Sequence, residues 1–294
     1  MMNRIVMVFL VVWSFAAHAE TKGFKLTPDF IGASKVEFTT ESVSGYEVLE
    51  GVLTNGVGQK YSVPDVCEPE GGVAEISDAY VVNGKARYFL FTCSWSVSHP
   101  GIGLKGTQYE TFIYTGNSLS SLKKEVALSQ VFSDYEGSLE EGGYNYAWYV
   151  MRNIASKKLL ELEGGQTADS LALAHDIVLG RLKSDDYKAV RAYLSPERVK
   201  QLFKDSPVTN SNVTVYNDLG FALGQSEDFE LAYKVLSEVE RISPDRMVLK
   251  LNIADVLWGA DKAKANSYYK EYAKLMKEAG KERLIPKRVL ERTL

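Results

Sequence analysis

Hydrophobic spacing along this chain changes period once. Over residues 46–150, β-branched and aromatic residues alternate with polar ones and glycines break the runs, as in half-buried strands. Beyond Glu163-Gly164-Gly165-Gln166 the strand signals stop, and apolar residues recur every three or four positions, as on amphipathic helices. Asn83-Gly84, between Tyr80-Val81-Val82 and the run 87–97, predicts a hairpin closed by a type I′ turn. In that run Phe89, Phe91, Cys93, Trp95 and Val97 share one face and read as core, while Tyr88, Leu90, Thr92, Ser94 and Ser96 share the other. Strands are also expected at 46–53, 107–114 and 145–150. Leu119, Leu122, Val126 and Phe132 fit one side of a helix ahead of the last strand, and a second helix is expected at 151–162. The fold class is therefore an α+β N-terminal domain, an antiparallel sheet with helices, over 20–163, followed by an all-α helical-hairpin domain over 167–294.

The helical half carries its own punctuation. Ser195-Pro196-Glu197 and Ser243-Pro244-Asp245 each offer a capping serine, a proline at the first helical position and an acid in the first turn. The serine satisfies an orphan N–H, the proline has none to lose there, and the carboxylate meets the positive end of the helix.

Residues 213–246 resemble a tetratricopeptide repeat (TPR). Leu219, Gly220, Ala232 and Pro244 match the family's signature residue types. Tyr216 stands where tryptophan is usual, Leu223 for tyrosine, Leu236 for phenylalanine and Val239 for alanine. Residues 247–280 look like a degenerate second copy, with Ile253, Ala254 and Leu257 in its first helix and Ala265, Tyr269 and Tyr272 in its second. Upstream, Ala174, Ile177, Val178 and Asp185-Asp186-Tyr187 echo Tyr216, Leu219, Gly220 and Glu227-Asp228-Phe229 at an offset of 42, too long for a standard repeat. Residues 286–293 form a closing helix. The resemblance implies paired helices that dock a protein partner. It places Asn217, Phe221, Gln225, Leu251, Asp255 and Trp258 as partner-binding candidates on the first helices. Leu251 and Asp255 stand where a carboxylate clamp would need cationic or amide groups. The N-terminal half is assigned to no family.

Residues 1–19 read as a cleaved signal peptide. Arg4 is the positive start, an apolar run of about 11 residues follows, and Ala17-His18-Ala19 is a small-x-small cleavage signal. That run is well short of the ~20 residues that span a bilayer, so no membrane span is expected, and the exported chain is placed in the periplasm. The mature chain carries 33 basic and 38 acidic residues, with no electrostatic footprint for nucleic acid. Cys67 and Cys93, an even pair in an oxidising compartment, predict a disulfide.

Catalytic signals are weak. Gly101-Ile102-Gly103-Leu104-Lys105-Gly106 spells G-x-G-x-x-G, but a strand rather than a helix is expected after it, so no cofactor is implied. Ser120-Ser121-Leu122-Lys123 is an S-x-x-K without its companion motifs. His99 sits in a loop and His175 within a helix, neither with the neighbours of a hydrolytic triad. Asp134, Glu136, Glu140 and Glu141 read as a solvated acidic loop lacking the spacing of a calcium site. No catalytic, cofactor or metal residue is assigned. The reading is an exported protein-interaction scaffold and not an enzyme: an immunity or inhibitor protein facing a toxin, or an adaptor for an envelope protein. The alternative is a cell-envelope hydrolase, using His99 or the acidic loop, with the repeats as its targeting module.

Overall fold

The computed structural model describes residues 21–293 except 44, 71 and 141; the expected signal peptide lies outside the described residues. The chain divides into two compact units, one ending at Ala147 and the other beginning at Trp148.

The first unit is two antiparallel sheets. Strands β1 (Thr21–Phe30), β2 (Ala33–Val43), β3 (Tyr46–Asn55) and β4 (Lys60–Cys67) form one sheet in sequence order. The other contains β5 (Glu75–Asn83), β6 (Arg87–His99), β7 (Leu104–Ser118), β9 (Asp134–Ser138) and β10 (Tyr144–Asn145), ordered β10-β9-β7-β6-β5, with β8 (Ser121–Lys124) paired to β7. An aromatic layer joins the sheets: Phe30 packs on Phe89 with ring centroids 5.5 Å apart, and Phe38 on Phe91 at 5.3 Å. The predicted disulfide is present, with Cys67 of β4 joined to Cys93 of β6 across a Cα separation of 5.7 Å. It therefore staples one sheet to the other.

Phe89, Phe91, Cys93 and Trp95 are buried together as the alternation predicts. The opposite face of β6 is also covered: Tyr88, Leu90 and Thr92 are buried. Helix α1 (Val126–Phe132) is bonded to the neighbouring strand β7. Ser129 Oγ accepts from the Ile113 N–H at 3.0 Å, and the Thr111 hydroxyl donates to the Phe132 carbonyl at 3.0 Å.

Several expectations for this half are corrected. The Asn83-Gly84 hairpin exists, but Asn83 pairs with Arg87, which leaves a three-residue loop instead of a type I′ turn. Leu119 and Leu122 belong to the β7–β8 hairpin, and only 126–132 is helical, because backbone pairing with β7 claims 121–124. The strand expected at 145–150 stops at Asn145. Trp148 and Tyr149 pack instead against the helical core. Strands β1 and β2, ahead of the first predicted strand, escaped the pattern because few of their positions are buried.

The second unit is all helix: α2 (Arg152–Glu163), α3 (Leu171–Lys183), α4 (Tyr187–Tyr193), α5 (Pro196–Asp205), α6 (Val213–Gln225), α7 (Phe229–Ile242), α8 (Met247–Leu257), α9 (Lys262–Glu278) and α10 (Lys287–Arg292). A continuous apolar cluster runs through it from Ile154 to Val289. Helix α2 packs on α3 and supplies Ile154 to that cluster, so the units divide at Ala147, ahead of the double glycine.

Local signals explain the helix boundaries. Ser195 caps α5 by accepting from the Arg198 N–H at 3.2 Å, with Pro196 at the first position. Asp186, Asp228 and Asp261 cap α4, α7 and α9 in the same way. The echo between 185–187 and 227–229 now has a physical basis: Asp185 and Glu227 both take a positive φ, and each precedes a capping aspartate. The offset of 42 arises because the extra helix α5 lies between α4 and α6. Ser243 does not cap α8, which starts at Met247 after Arg246; the serine instead closes α7.

Candidate partner-binding face

Helices α6 and α7 form an antiparallel pair, as do α8 and α9, and α3, α6 and α8 are successive neighbours. Gly220 permits the close crossing of α6 over α7. A Cβ there would lie 2.6 Å from Leu236 Cγ, and Leu236 is itself fully buried. Ala232 is likewise fully buried, the other small residue of the repeat pattern.

A row of polar side chains runs across the first helices. His175 of α3 lies 3.0 Å from Asp218 Oδ2 on α6. Asn252 of α8 donates to Asn217 Oδ1 at 3.2 Å. Both asparagines are buried, at 3 % and 6 % exposure, so this bond joins α6 to α8 within the unit. Asp255 of α8 accepts from Tyr269 Oη at 2.6 Å and from Arg288 Nη2 of α10 at 2.8 Å, with Arg292 at 3.3 Å. Burial and the bond to Asp255 push the Tyr269 hydroxyl up to about 12. Arg292 also lies over the Trp258 ring, 4.5 Å from its centroid.

Between α6 and α8 lies a groove of about 110 Å³, lined by Phe221, Gln225, Phe229, Asn252, Asp255 and Val256. Phe221 is 39 % exposed and Phe229 47 %, both unusual for phenylalanine, and Gln225 is open to solvent. The six partner-binding candidates thus divide. Phe221, Gln225 and Asp255 meet at the groove. Asn217 is committed to the interhelical bond, Leu251 is packed against the core, and Trp258 is covered by Arg292. Phe229 and Asn252 were missed by the sequence reading; Phe229 could have been found from its position directly after the Asp228 cap.

A second polar site was not anticipated. Asp169, at 2 % side-chain exposure, accepts from Lys158 Nζ at 2.7 Å, from the Tyr149 and Tyr193 hydroxyls at 2.7 Å, and from Arg198 at 3.2 Å. Burial alone would raise this carboxyl's pKa. The hydrogen bonds from Lys158, Tyr193 and Tyr149 outweigh it and hold the group below its ordinary 3.8. A cavity of about 500 Å³ opens beside it, rimmed by Ser195, Glu197, Arg198, Gln201 and Asp205. The network ties α2, α4 and α5 to the loop before α3, which makes it a structural anchor.

The remaining sequence features have local partners or none of note. His99 ends β6 and is exposed. The G-x-G-x-x-G run is a 3-10 turn leading into β7. Lys123 pairs with Glu125 at 3.1 Å. Asp134 and Glu136 lie on β9 rather than in a loop: Asp134 accepts from Asn145 Nδ2 at 2.8 Å, and Glu136 from the Ala147 N–H at 3.3 Å. Among the described residues no group of three His, Cys, Asp or Glu is placed to hold a metal ion, and no helix is long and apolar enough to cross a membrane.

No protein-family model and no curated protein matches the chain. Among solved structures, MamA of MSR-1 is similar at a TM-score of 0.30 and 14 % identity, over 48 % of this chain and 85 % of that one. MamA of AMB-1 is similar at a TM-score of 0.28 and 13 % identity, over 48 % of this chain and 88 % of that one. Likeness at this level assigns the chain to no family.

Proposed function

We propose that this protein acts by binding another protein, with the helical unit serving as a TPR-like scaffold and the α6–α8 groove as its docking site. The carrying observation is the groove itself. Two exposed phenylalanines, one free amide and the Arg-paired carboxylate of Asp255 converge there. An aromatic anchor ringed by polar groups is the composition of a recognition hot spot. The repeat-like pairing of α6 with α7 and α8 with α9 supports the scaffold reading. The disulfide between the sheets supports export to an oxidising compartment, which we take to be the periplasm. The partner is then a toxin neutralised there or a resident envelope protein, and the protein carries out no chemistry of its own.

The test is cross-linking of the tagged mature chain in intact cells, with Phe221→Asp and Gln225→Lys variants alongside. One near-stoichiometric adduct lost in both variants fits an inhibitor of a toxin; several envelope adducts lost together fit an adaptor. Adducts that persist unchanged in both variants would remove the groove from the account.

A further inference from the structure

Charge is distributed unevenly along the chain. Residues 21–147 carry a net −7, while the last 33 residues, 262–294, hold ten Lys and Arg against four Glu, a net +6. Much of that positive charge lies on one surface. Lys270, Lys274 and Lys277 are spaced four and three residues apart on α9, which puts them on one face of the helix. They line a shallow crevice of about 320 Å³ with Ala273 and Thr293. All three lysines are exposed, as are Lys281, Arg283 and Lys287 in the segment that follows. Three of these cations have exposed acidic neighbours: Glu278 is 3.8 Å from Lys274, Glu282 is 3.4 Å from Lys277, and Glu291 is 3.2 Å from Lys287. Such exposed pairs are worth little in water, so they cost little to break, and the segment keeps its net positive charge.

Two large apolar side chains accompany the cations. Leu284, in the 3-10 turn between α9 and α10, is 69 % exposed, and Leu290 on α10 is 51 % exposed. Leu290 lies one helical turn before Thr293, which lines the lysine crevice and whose hydroxyl donates to the Leu290 carbonyl at 3.2 Å. Their neighbours Ile285 and Val289 are buried, which fixes this end of the chain to the core and points the two leucines outward.

We propose that the α9–α10 face is a docking surface for an anionic phospholipid bilayer. The interfacial region of such a bilayer offers both things the face presents: phosphates for the lysines and an apolar layer a few ångströms below them for the leucines. Lysine suits this because its apolar stem can lie along the surface while the ammonium stays at the headgroups. A purely acidic chain would satisfy the lysines but leave Leu284 and Leu290 without an apolar counterpart. The lysine crevice shares no lining residue with the α6–α8 groove, although Arg288 and Arg292 of α10 pair with the groove's Asp255.

The test is cosedimentation of the purified mature chain with vesicles of phosphatidylcholine, with and without phosphatidylglycerol. Binding is expected only to the mixed vesicles and is expected to fall with added salt. Lys270→Gln, Lys274→Gln and Lys277→Gln combined should weaken partitioning roughly a hundredfold. Leu284→Ser with Leu290→Ser should weaken it while leaving it salt-sensitive. All five positions are exposed, and an unchanged circular dichroism melt would verify that the variants fold. Equal binding to both vesicle types, or no effect of the lysine substitutions, would overturn the proposal. So would binding to soluble polyglutamate without binding to vesicles, which would assign the face to an acidic protein.

Discussion

Asp169 shows how one residue organises a helical unit without belonging to any helix. Its carboxylate sits at 2 % exposure opposite Lys158 at 4 %, and each leaves the other with a compensated charge. Asp169→Asn would strand the buried ammonium, so we expect a loss of about 3–5 kcal/mol in urea unfolding at neutral pH. The pH dependence follows from the direction of the shift. The folded carboxyl ionises below 3.8, so its stabilisation is complete above the unfolded value and is lost as pH falls through the folded one. The penalty of Asp169→Asn should therefore shrink when unfolding is measured well below pH 3.8; a penalty that stays constant would mean the charge is not what matters. At Gly220, alanine gains about 1 kcal/mol of helix propensity but forces Leu236 out of place, at about 1–3 kcal/mol. A net loss of about 0–2 kcal/mol is expected, and a thermally stabilised Gly220→Ala variant would show that α6 and α7 have room to separate.

At the scale of elements, the chain was legible where periodicity, capping and burial agree. Phe89, Phe91, Cys93 and Trp95 alternate in sequence and are buried in the structure, and Ser195-Pro196 starts a helix where its chemistry says it should. Legibility failed where contacts outside the local pattern decided the outcome. Leu119 and Leu122 fit a helical stripe, yet β7 recruits 121–124 as a strand. Ser243-Pro244-Asp245 has the same composition as Ser195-Pro196-Glu197, but Ser243 serves as the end of α7 instead of the start of α8. The groove was half visible: Phe221, Gln225 and Asp255 could be placed by repeat position, whereas Phe229 enters from the next helix and Asn252 from the opposite side of the groove. The Asp169 cluster was invisible because its members are spread over 50 residues from Tyr149 to Arg198. The disulfide joins elements 26 residues apart, and reduction should cost the fold about 3–4 kcal/mol in the chain-entropy model. Urea unfolding with and without a thiol reductant measures this; an unchanged midpoint would mean the two sheets hold together by packing alone.

For the whole molecule, separate surfaces carry separate proposed tasks. The two sheets are stapled covalently, the α6–α8 groove is the proposed docking site for a protein, and α9 and α10 carry the proposed membrane-facing surface. The central claim is that the groove is the docking site. The most direct measurement is photo-cross-linking in intact cells from a reactive side chain placed at Gln225, compared with one at exposed Lys188 on α4. A discrete protein adduct from Gln225, absent from Lys188 and abolished by Phe221→Asp, is the expected result. The same adduct from both sites, or none from Gln225 while the partner still binds, would contradict it.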